Sequence, residues 1–218
     1  MCGRFSLHAN KKTLAEAIAL ALPETIGPDY NIGPGREVLS ISRADDAPRA
    51  SLMHWGLKTP QNFHVNARIE TADTAPRFRE SWQHHRCLVP ASGFYEWYTD
   101  GITKQPYYIY PADRDFAYLA GLWYPSARPE HSDTCILLTT TATKSIQQVH
   151  HRMPVMLDAE ARDAWLSNTL TKAEAIEVAN RIPLEKHTVS RRVNSVQNND
   201  STLIEATAPR SDDQMMLF

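Results

Sequence analysis

The residue with the clearest capacity for chemistry is Cys2, in the opening stretch MCGRF. Methionine aminopeptidases remove an initiator methionine when a small residue follows it, so we expect a mature chain that starts at Cys2. That residue would carry a free α-amine and a thiol on adjacent carbon atoms. An α-amine has a typical pKa of about 7.7–8.0, so a useful fraction of it is neutral and nucleophilic at pH 7.

A second group of polar candidates lies in the stretch HVNARIET. Val65, Ala67 and Ile69 alternate with polar residues, which predicts a strand with its apolar residues on one face. Asn66 and Arg68 then share the opposite face. This face is either solvated or the floor of a polar cleft, and the pattern alone leaves both interpretations open.

The stretch GFYEWY places one carboxylate among aromatic rings. On a strand Glu96 shares a face with Phe94 and Tyr98. The carboxylate either points outward between the rings or is partly desolvated. Desolvation would raise its pKa and suit it to proton transfer near neutral pH.

Histidines occur in two clusters. In VHHRMP, extended backbone would place His150 and Arg152 on one side, with His151 on the other. The stretch 84–87, HHRC, invites a zinc interpretation, but it has no partner pair at ligand spacing, so we predict no metal site.

Composition narrows the class of protein. The chain has 218 residues, 42% hydrophobic and 22% charged, which fits one globular domain. No apolar run approaches the ~20 residues of a membrane span, and no signal peptide is visible, so we expect a cytoplasmic protein. Three widely spaced cysteines exclude a disulfide framework. The formal net charge of −2 means that any nucleic-acid binding would use a local basic patch.

The periodicity predicts an α+β fold around a mostly antiparallel, barrel-like β-sheet with flanking helices. We predict a helix over 10–22, a second over 158–168 capped by Asp158, and a third from the capping box of Thr171 and Glu174. The predicted strands cover 38–42, 51–57, 63–71, 86–98, 106–110, 116–124, 134–142 and 187–193. The expected organisation is one domain over 2–204 and a flexible tail over 205–218.

The order of the motifs is more specific than any one of them. MCGRF, YNIGPG, WGL, VNARIET, SGFYEW and VHHRMP follow one another along the chain. This series resembles the SRAP family, the SOS response-associated peptidases or abasic-site-processing proteins, from residue 2 to about residue 195. The resemblance implies a positively charged cleft for single-stranded DNA and an N-terminal cysteine that bonds covalently to abasic sites, without a cofactor.

The resemblance also implies roles for individual residues. The catalytic set would be Cys2, Asn66, Glu96 and His150. The DNA-binding set would be Arg4, Trp55, Arg68, Trp97 and Arg152. Two positions depart from the family pattern. His151 stands where an acidic or small polar residue is usual, which leaves open which of the two rings works, and Gly33 stands where alanine is common.

The implied chemistry suits a terminal cysteine. The open form of an abasic site is an aldehyde, which the amine attacks to give an imine, and the thiol then closes a five-membered thiazolidine. The second closure is intramolecular, and well-oriented groups reach effective molarities of about 10⁵–10⁸ M. We therefore expect a lyase-like crosslinking enzyme, a monomer, that shields abasic sites in single-stranded DNA from strand cleavage. Any peptidase activity would be limited to removal of Met1.

Two other functions stay open on the sequence. An N-terminal-nucleophile hydrolase, such as a glutamine amidotransferase, also begins Met-Cys-Gly, although Arg4 replaces its usual isoleucine. A DNA-binding module without covalent chemistry is the other alternative.

The final pentapeptide QMMLF resembles the bacterial sliding-clamp-binding motif. Gln214, Leu217 and Phe218 match that motif, and Met216 departs from it. In a bacterial cell this tail would bring the protein to the replication clamp and so to the nucleoid.

Overall fold

Two β-sheets with helices at their margins form the fold. The computed structural model describes residues 2–44, 47–99, 101, 104–128 and 130–208. The strands are β1 (Phe5–Leu7), β2 (Asp29–Ile32), β3 (Glu37–Ala44), β4 (Ala47–Trp55), β5 (Leu57–Lys58), β6 (Phe63–His64), β7 (Asn66–Arg68), β8 (Arg86–Ala91), β9 (Gly93–Thr99), β10 (Lys104–Pro111), β11 (Ala117–Tyr124), β12 (Thr134–Thr141), β13 (Arg152–Pro154), β14 (Met156–Leu157) and β15 (Leu184–Thr188). The helices are α1 (Lys11–Ile18), α2 (Ile69–Ala72), α3 (Arg79–His84), α4 (Ala159–Leu166), α5 (Lys172–Arg181) and two 3₁₀ helices at Arg191–Asn194 and Ser201–Ile204.

The larger sheet closes on itself as a barrel. Its order is β13-β12-β4-β3-β8-β11-β14, and β12 also pairs with β11, so the five strands β12, β4, β3, β8 and β11 form a ring. The pairings of β12 with β4 and β7 are parallel, and the other pairings are antiparallel. Met53, Leu88 and Ile136 are fully buried in the main core. The predicted α+β fold with a mostly antiparallel, barrel-like sheet is confirmed.

The smaller sheet pairs the first strand, β1, with β9, the strand that carries Glu96. Its order is β15-β10-β9-β1-β2, and β1 pairs antiparallel with β9, with Phe5 opposite Phe94. One face of β9 joins the main core through Phe94, while Tyr95 on the other face packs with the second core under the 3₁₀ helices. Both faces of β9 are therefore packed against other parts of the protein. Although β1 is short, its pairing with β9 fixes the course of residues 2–4.

Both predicted helix caps, at Asp158 and Thr171, are confirmed. Asp158 accepts from the N–H of Ala161 at 3.0 Å, and Thr171 forms both bonds of a capping box with Glu174. The first helix begins as expected after Asn10, which caps it. Its predicted extension to Leu22 is wrong, because the backbone turns left-handed at Ala19 with φ 56° and ends the helix there.

Four predicted strands are wrong in part. The strand over 86–98 is two strands, β8 and β9, in different sheets, and the strand over 51–57 is interrupted between β4 and β5. The strand over 63–71 is broken, since β7 ends its ladder with Arg68 opposite Thr139 and the chain then turns into α2. The last strand lies at 184–188, because Ser190 caps a 3₁₀ helix by accepting from the N–H of Arg192. The sequence reading also missed β1, β2 and α3.

Part of the predicted C-terminal tail is hydrogen-bonded to the domain. Thr207, within the predicted tail, donates its N–H to the carbonyl of Thr188 at 2.8 Å. Residues 209–218, with the predicted clamp motif, lie outside the described residues. Of the helices that the structure describes, none is long and apolar enough to cross a membrane.

Candidate functional site

Cys2 is held in place by Asn66. Cys2 is fully buried, and its backbone carbonyl accepts a hydrogen bond of 2.7 Å from Asn66 Nδ2. Asn66 is itself fixed, because β7 pairs with β12 through the register of Asn66 with Leu137. The thiol lies 3.9 Å from the carbonyl oxygen of Arg4, to which it donates weakly. Asn66 therefore positions the cysteine through the backbone carbonyl of Cys2.

Glu96 and His150 lie together beside the cysteine. Glu96 is only 3% exposed, so the outward-pointing alternative does not hold. His150 Nδ1 lies 4.0 Å from Glu96 Oε1. Burial raises the pKa of the Glu96 carboxyl and lowers the pKa of the His150 imidazole. The two shifts bring the pKa values of Glu96 and His150 closer together. This favours proton exchange between these groups and a third group.

The environment of Cys2 keeps the sulfur protonated. Burial, followed by the charge of Glu96, raises the pKa of the Cys2 thiol. A thiol of this kind is a poor nucleophile until a base accepts its proton. Glu96 is close enough for its charge to affect the thiol, and it is therefore the candidate base.

The ring of His150 is oriented by the backbone of Arg152. Nδ1 lies 3.0 Å from both the N–H and the carbonyl oxygen of that residue. A bare Nδ1 accepts from the N–H, and a protonated Nδ1 donates to the carbonyl, so the site accommodates either state. His151 stacks on His150 with ring centroids 4.4 Å apart but is exposed. The burial and the contact with Glu96 favour His150 as the working ring.

Arg152 forms an ion pair with Glu70. Its guanidinium donates two hydrogen bonds to the carboxylate of Glu70, at 2.7 and 2.8 Å, and a third to the carbonyl of Thr139 at 2.6 Å. The side chain is 9% exposed. The structure thus assigns its charge to Glu70, in contrast to the predicted contact with DNA.

The other two predicted arginines have different surroundings. Arg4 donates to the side-chain oxygen of Asn31 at 2.6 Å and to the carbonyl of Val193 at 2.7 Å, which are both neutral acceptors. Its positive charge is therefore not cancelled by these bonds. Arg68 is exposed at the end of β7, two residues from Asn66.

The two tryptophans of the predicted DNA-binding set also differ in their surroundings. Trp55 is fully buried, with its ring 5.2 Å from Phe5 and its N–H donated to the carbonyl of Val65 at 3.0 Å. The ring has no face free for a base, so in this conformation Trp55 does not offer the contact with DNA that the resemblance implies. Trp97 is partly exposed and donates to the side chain of Asn194 at 2.8 Å.

Three exposed apolar side chains lie close to candidate site residues, two of them along the chain and one in space. Among the described residues, the exposed large apolar side chains are Phe63 (49%), Tyr98 (41%) and Val196 (56%). Phe63 precedes Asn66 by three residues, and Tyr98 follows Glu96 by two on the same face of β9. A Cβ placed on Gly33 would lie 3.4 Å from both Val196 and Arg4, so Val196 lies beside that arginine. We call these three residues the apolar rim.

The ring of Phe63 packs directly against the backbone of Gly56. Gly56 has φ +129°, which L side chains rarely adopt, and a Cβ there would lie 2.2 Å from the Phe63 ring. The hairpin of β5 and β6 therefore depends on Gly56. The position of Phe63, just before the NAR motif, could have indicated a role at the site. Its exposure, however, depends on the tertiary structure.

Comparisons with known proteins give one consistent family. The model of the SOS response associated peptidase (SRAP) family matches residues 1–196. The abasic site processing protein YedK of Escherichia coli (strain K12) is 34% identical, over 94% of this chain and 99% of that protein. YoqW of Bacillus subtilis (strain 168), with the same description, is 32% identical over 94% of this chain and 100% of its own.

Solved structures show the same fold. A protein from Bacteroides thetaiotaomicron matches with a TM-score of 0.78 at 24% identity, covering 95% of this chain and all of its own. A phage-related protein from Bordetella bronchiseptica matches with a TM-score of 0.70 at 28% identity, over 87% of this chain and 95% of that one.

Proposed function

The chain belongs to the SRAP family, and from that premise we propose that it processes abasic sites in DNA by forming a thiazolidine crosslink through Cys2. The observation that carries the proposal is the convergence of Cys2, Asn66, Glu96 and His150 from four separate parts of the chain. The proposal requires that Met1 is removed, because in the translated chain the nitrogen of Cys2 is part of a peptide bond.

The first step is attack by the α-amine on the open aldehyde of the abasic sugar. Nitrogen bonds to C1′, a proton passes from nitrogen to the former aldehyde oxygen, and the carbinolamine then loses water to give an imine. His150 would protonate the sugar ring oxygen to open the closed form, and Glu96 would supply the proton that leaves with the water. Asn66 would keep Cys2 aligned through the 2.7 Å hydrogen bond to its carbonyl.

The second step closes the ring. The sulfur bonds to the imine carbon, and the thiol proton is transferred to the imine nitrogen. The raised pKa of the thiol means that Glu96 must take this proton during the attack, since little thiolate exists beforehand. The sum of both steps is aldehyde plus aminothiol giving thiazolidine plus one water, with no oxidant, reductant or metal required.

Two arginines would hold the DNA backbone near the lesion. Arg4 bonds neutral acceptors and keeps its charge, and Arg68 is exposed beside Asn66. Either can attract a phosphate. Arg152 would act indirectly, since its backbone orients His150 while its guanidinium holds Glu70.

The apolar rim would bind the unpaired bases on each side of the lesion. Exposed aromatic rings next to a binding site stack on bases of any sequence. Phe63 and Tyr98 thus replace Trp55 in our proposal, and Trp97 stays as a third ring at the edge of the site. Because a base in a duplex is already stacked on its neighbours, this rim favours single strands.

The direct test mixes the purified protein with single-stranded DNA that carries one abasic site. We expect a heat-stable product whose mass is that of the chain without Met1 plus the DNA, less one water. Cys2→Ala should give no stable product. Cys2→Ser should give an imine that borohydride traps but that is lost without reduction. A serine variant as durable as the wild type would show that the thiol does not close the ring.

The rival N-terminal-nucleophile hydrolase uses the same Cys2 but a different substrate. It predicts release of ammonia from glutamine and no adduct with DNA. Glutaminase activity that is lost in Cys2→Ala, without any crosslink, would replace our proposal with this one. Retained DNA binding with neither activity would instead indicate a binding module.

A further inference from the structure

A cavity separate from the Cys2 site lies on the face of the smaller sheet that carries Tyr108 and Tyr110. Its volume is about 540 Å³, within the usual range of about 300–1,000 Å³ for small-molecule sites. Its lining includes His8, Tyr108, Tyr110, Arg114, Asp115 and His187. The cavity lies beyond the end of β1 that is opposite to Cys2. None of the catalytic candidates takes part in it.

Aromatic rings form one wall of this cavity. The rings of Tyr108 and Tyr110 are 5.5 Å apart and nearly parallel, with an interplanar angle of 19°. His187 adds a third ring, 5.5 Å from Tyr110. Tyr110 and His187 are only half-buried, so their rings are accessible from the cavity. The accessible part of the Tyr110 ring can stack on a planar ligand.

Polar groups at the inner end can donate or accept. The hydroxyl of Tyr108 lies 2.9 Å from Ser6 Oγ and 3.2 Å from His8 Nε2, and the protons in this chain can run in either direction. The ring of His8 is backed by Tyr30, stacked at 5.3 Å. This end is thus adaptable in its hydrogen bonding yet fixed in position.

The charges disfavour an anionic ligand. The Arg114 guanidinium is already taken by two 2.8 Å hydrogen bonds to Asp113. Asp115 adds an exposed carboxylate to the lining, and the Tyr110 hydroxyl donates to a further one on Glu185. Carboxylates accept hydrogen bonds from amino groups and repel phosphates.

We propose that this cavity binds a nucleobase with an exocyclic amino group, stacked on Tyr110 and with its amino group toward Asp115. The base could come from a free nucleoside or from an unpaired position of a DNA strand. His8 lies six positions after Cys2, a span of about 22 Å at most. A strand held at Cys2 would therefore reach the cavity with a base several nucleotides from the lesion. Base binding here does not depend on the chemistry at Cys2.

The first arm of the test uses free nucleosides and ligand-observed NMR. Deoxyadenosine and deoxycytidine should bind saturably and more tightly than thymidine. Tyr110→Leu should weaken binding about tenfold, because it removes the stacking ring. Tyr110→Phe is the matched control, since it keeps the ring and loses only the bond to Glu185, and it should bind as the wild type does. Asp115→Asn should reduce the preference over thymidine.

The second arm uses undamaged single strands, which form no adduct. If the site takes a base of the strand, oligodeoxyadenylate should lose affinity in Tyr110→Leu but not in Tyr110→Phe, even when free nucleosides do not bind. If neither nucleosides nor oligodeoxyadenylate respond to Tyr110→Leu in a protein with an unchanged melting temperature, the proposal is overturned. A protein that forms no crosslink yet binds deoxyadenosine would reject the function proposed at Cys2 and keep this one.

Discussion

Replacing Arg152 with alanine should destabilise the protein without changing the number of phosphate contacts that it makes to DNA. The guanidinium makes three hydrogen bonds of 2.6–2.8 Å, two of them to Glu70. Removing one partner of a buried ion pair costs about 3–5 kcal/mol. The Glu70 side chain is 38% exposed, so water can solvate its carboxylate in the variant, and we expect the lower end, about 3 kcal/mol.

The assay is thermal unfolding together with salt-dependent DNA binding. For a chain of this length each kcal/mol lowers Tm by about 2–4 °C, so Arg152→Ala should lower it by about 6–12 °C. Arg68→Ala is the matched control. Its exposed side chain should leave Tm unchanged and reduce the salt slope of single-strand binding by about 0.7. A slope reduced in Arg152→Ala at unchanged Tm would refute the reasoning and return Arg152 to the DNA-binding set.

The pH dependence gives an independent check of the same pair. Although burial raises the pKa of Glu70, the hydrogen bonds and charge of Arg152 outweigh it and lower that pKa below its ordinary value. A lowered pKa means that the pair stabilises the fold above the unfolded pKa of about 4.3 and is lost as pH falls through the folded pKa. The Tm difference between the wild type and Arg152→Ala should therefore shrink in acid. A difference that stays constant down to acid unfolding would mean that the Glu70 carboxylate does not contribute.

Four further outcomes are expected. Glu96→Gln should slow adduct formation by about 10²–10⁴ while sparing DNA binding, because it removes the group that exchanges protons with the carbinolamine and the thiol; equal loss of binding would mark Glu96 as structural. His150→Ala should slow opening of the abasic sugar more than His151→Ala, measured as the adduct rate on closed and pre-opened substrates, and the reverse order would exchange the two roles. Phe63→Ala should weaken single-strand binding by about 1–3 kcal/mol in a fluorescence titration while Phe63→Tyr stays near the wild type; equal affinities in all three would remove Phe63 from the site. A peptide of residues 214–218 should bind a bacterial sliding clamp weakly, with each of its two apolar anchors contributing about 1.5–3 kcal/mol before ordering costs, and clamp binding that is equal with and without those residues would dismiss the tail as a recruitment signal.

The sequence by itself determined the features that depend on near neighbours. The caps at Asp158 and Thr171 are local hydrogen bonds within one turn, and the structure has both. The nearly continuous apolar run of the barrel strand β11 is typical of a strand that is buried on both faces, as this one is. The catalytic candidates came from the order of the motifs along the chain, which resembles that of the SRAP family.

Tertiary structure decided how those side chains are used. Trp55 lies in a motif of the family, yet its indole is buried because β4 pairs with β12 and places the ring against Phe5. Arg152 lies close to His150 in the sequence, but Glu70, 82 positions away, takes its charge. Neither partner could be read from the local pattern, since strand pairing and long-range ion pairs depend on where distant segments meet.

The burial of Glu96 shows the same division most clearly. Its neighbours in the sequence left both an outward and an inward orientation open. Packing of the β9 face that carries Phe94 against the main core buried the carboxylate, which lies 4.0 Å from His150. The shift of its pKa follows from that burial, because removing water from a carboxylate disfavours its charged form. The sequence determined that an acid is present at this position, and only the packing of two sheets made it a candidate for proton transfer.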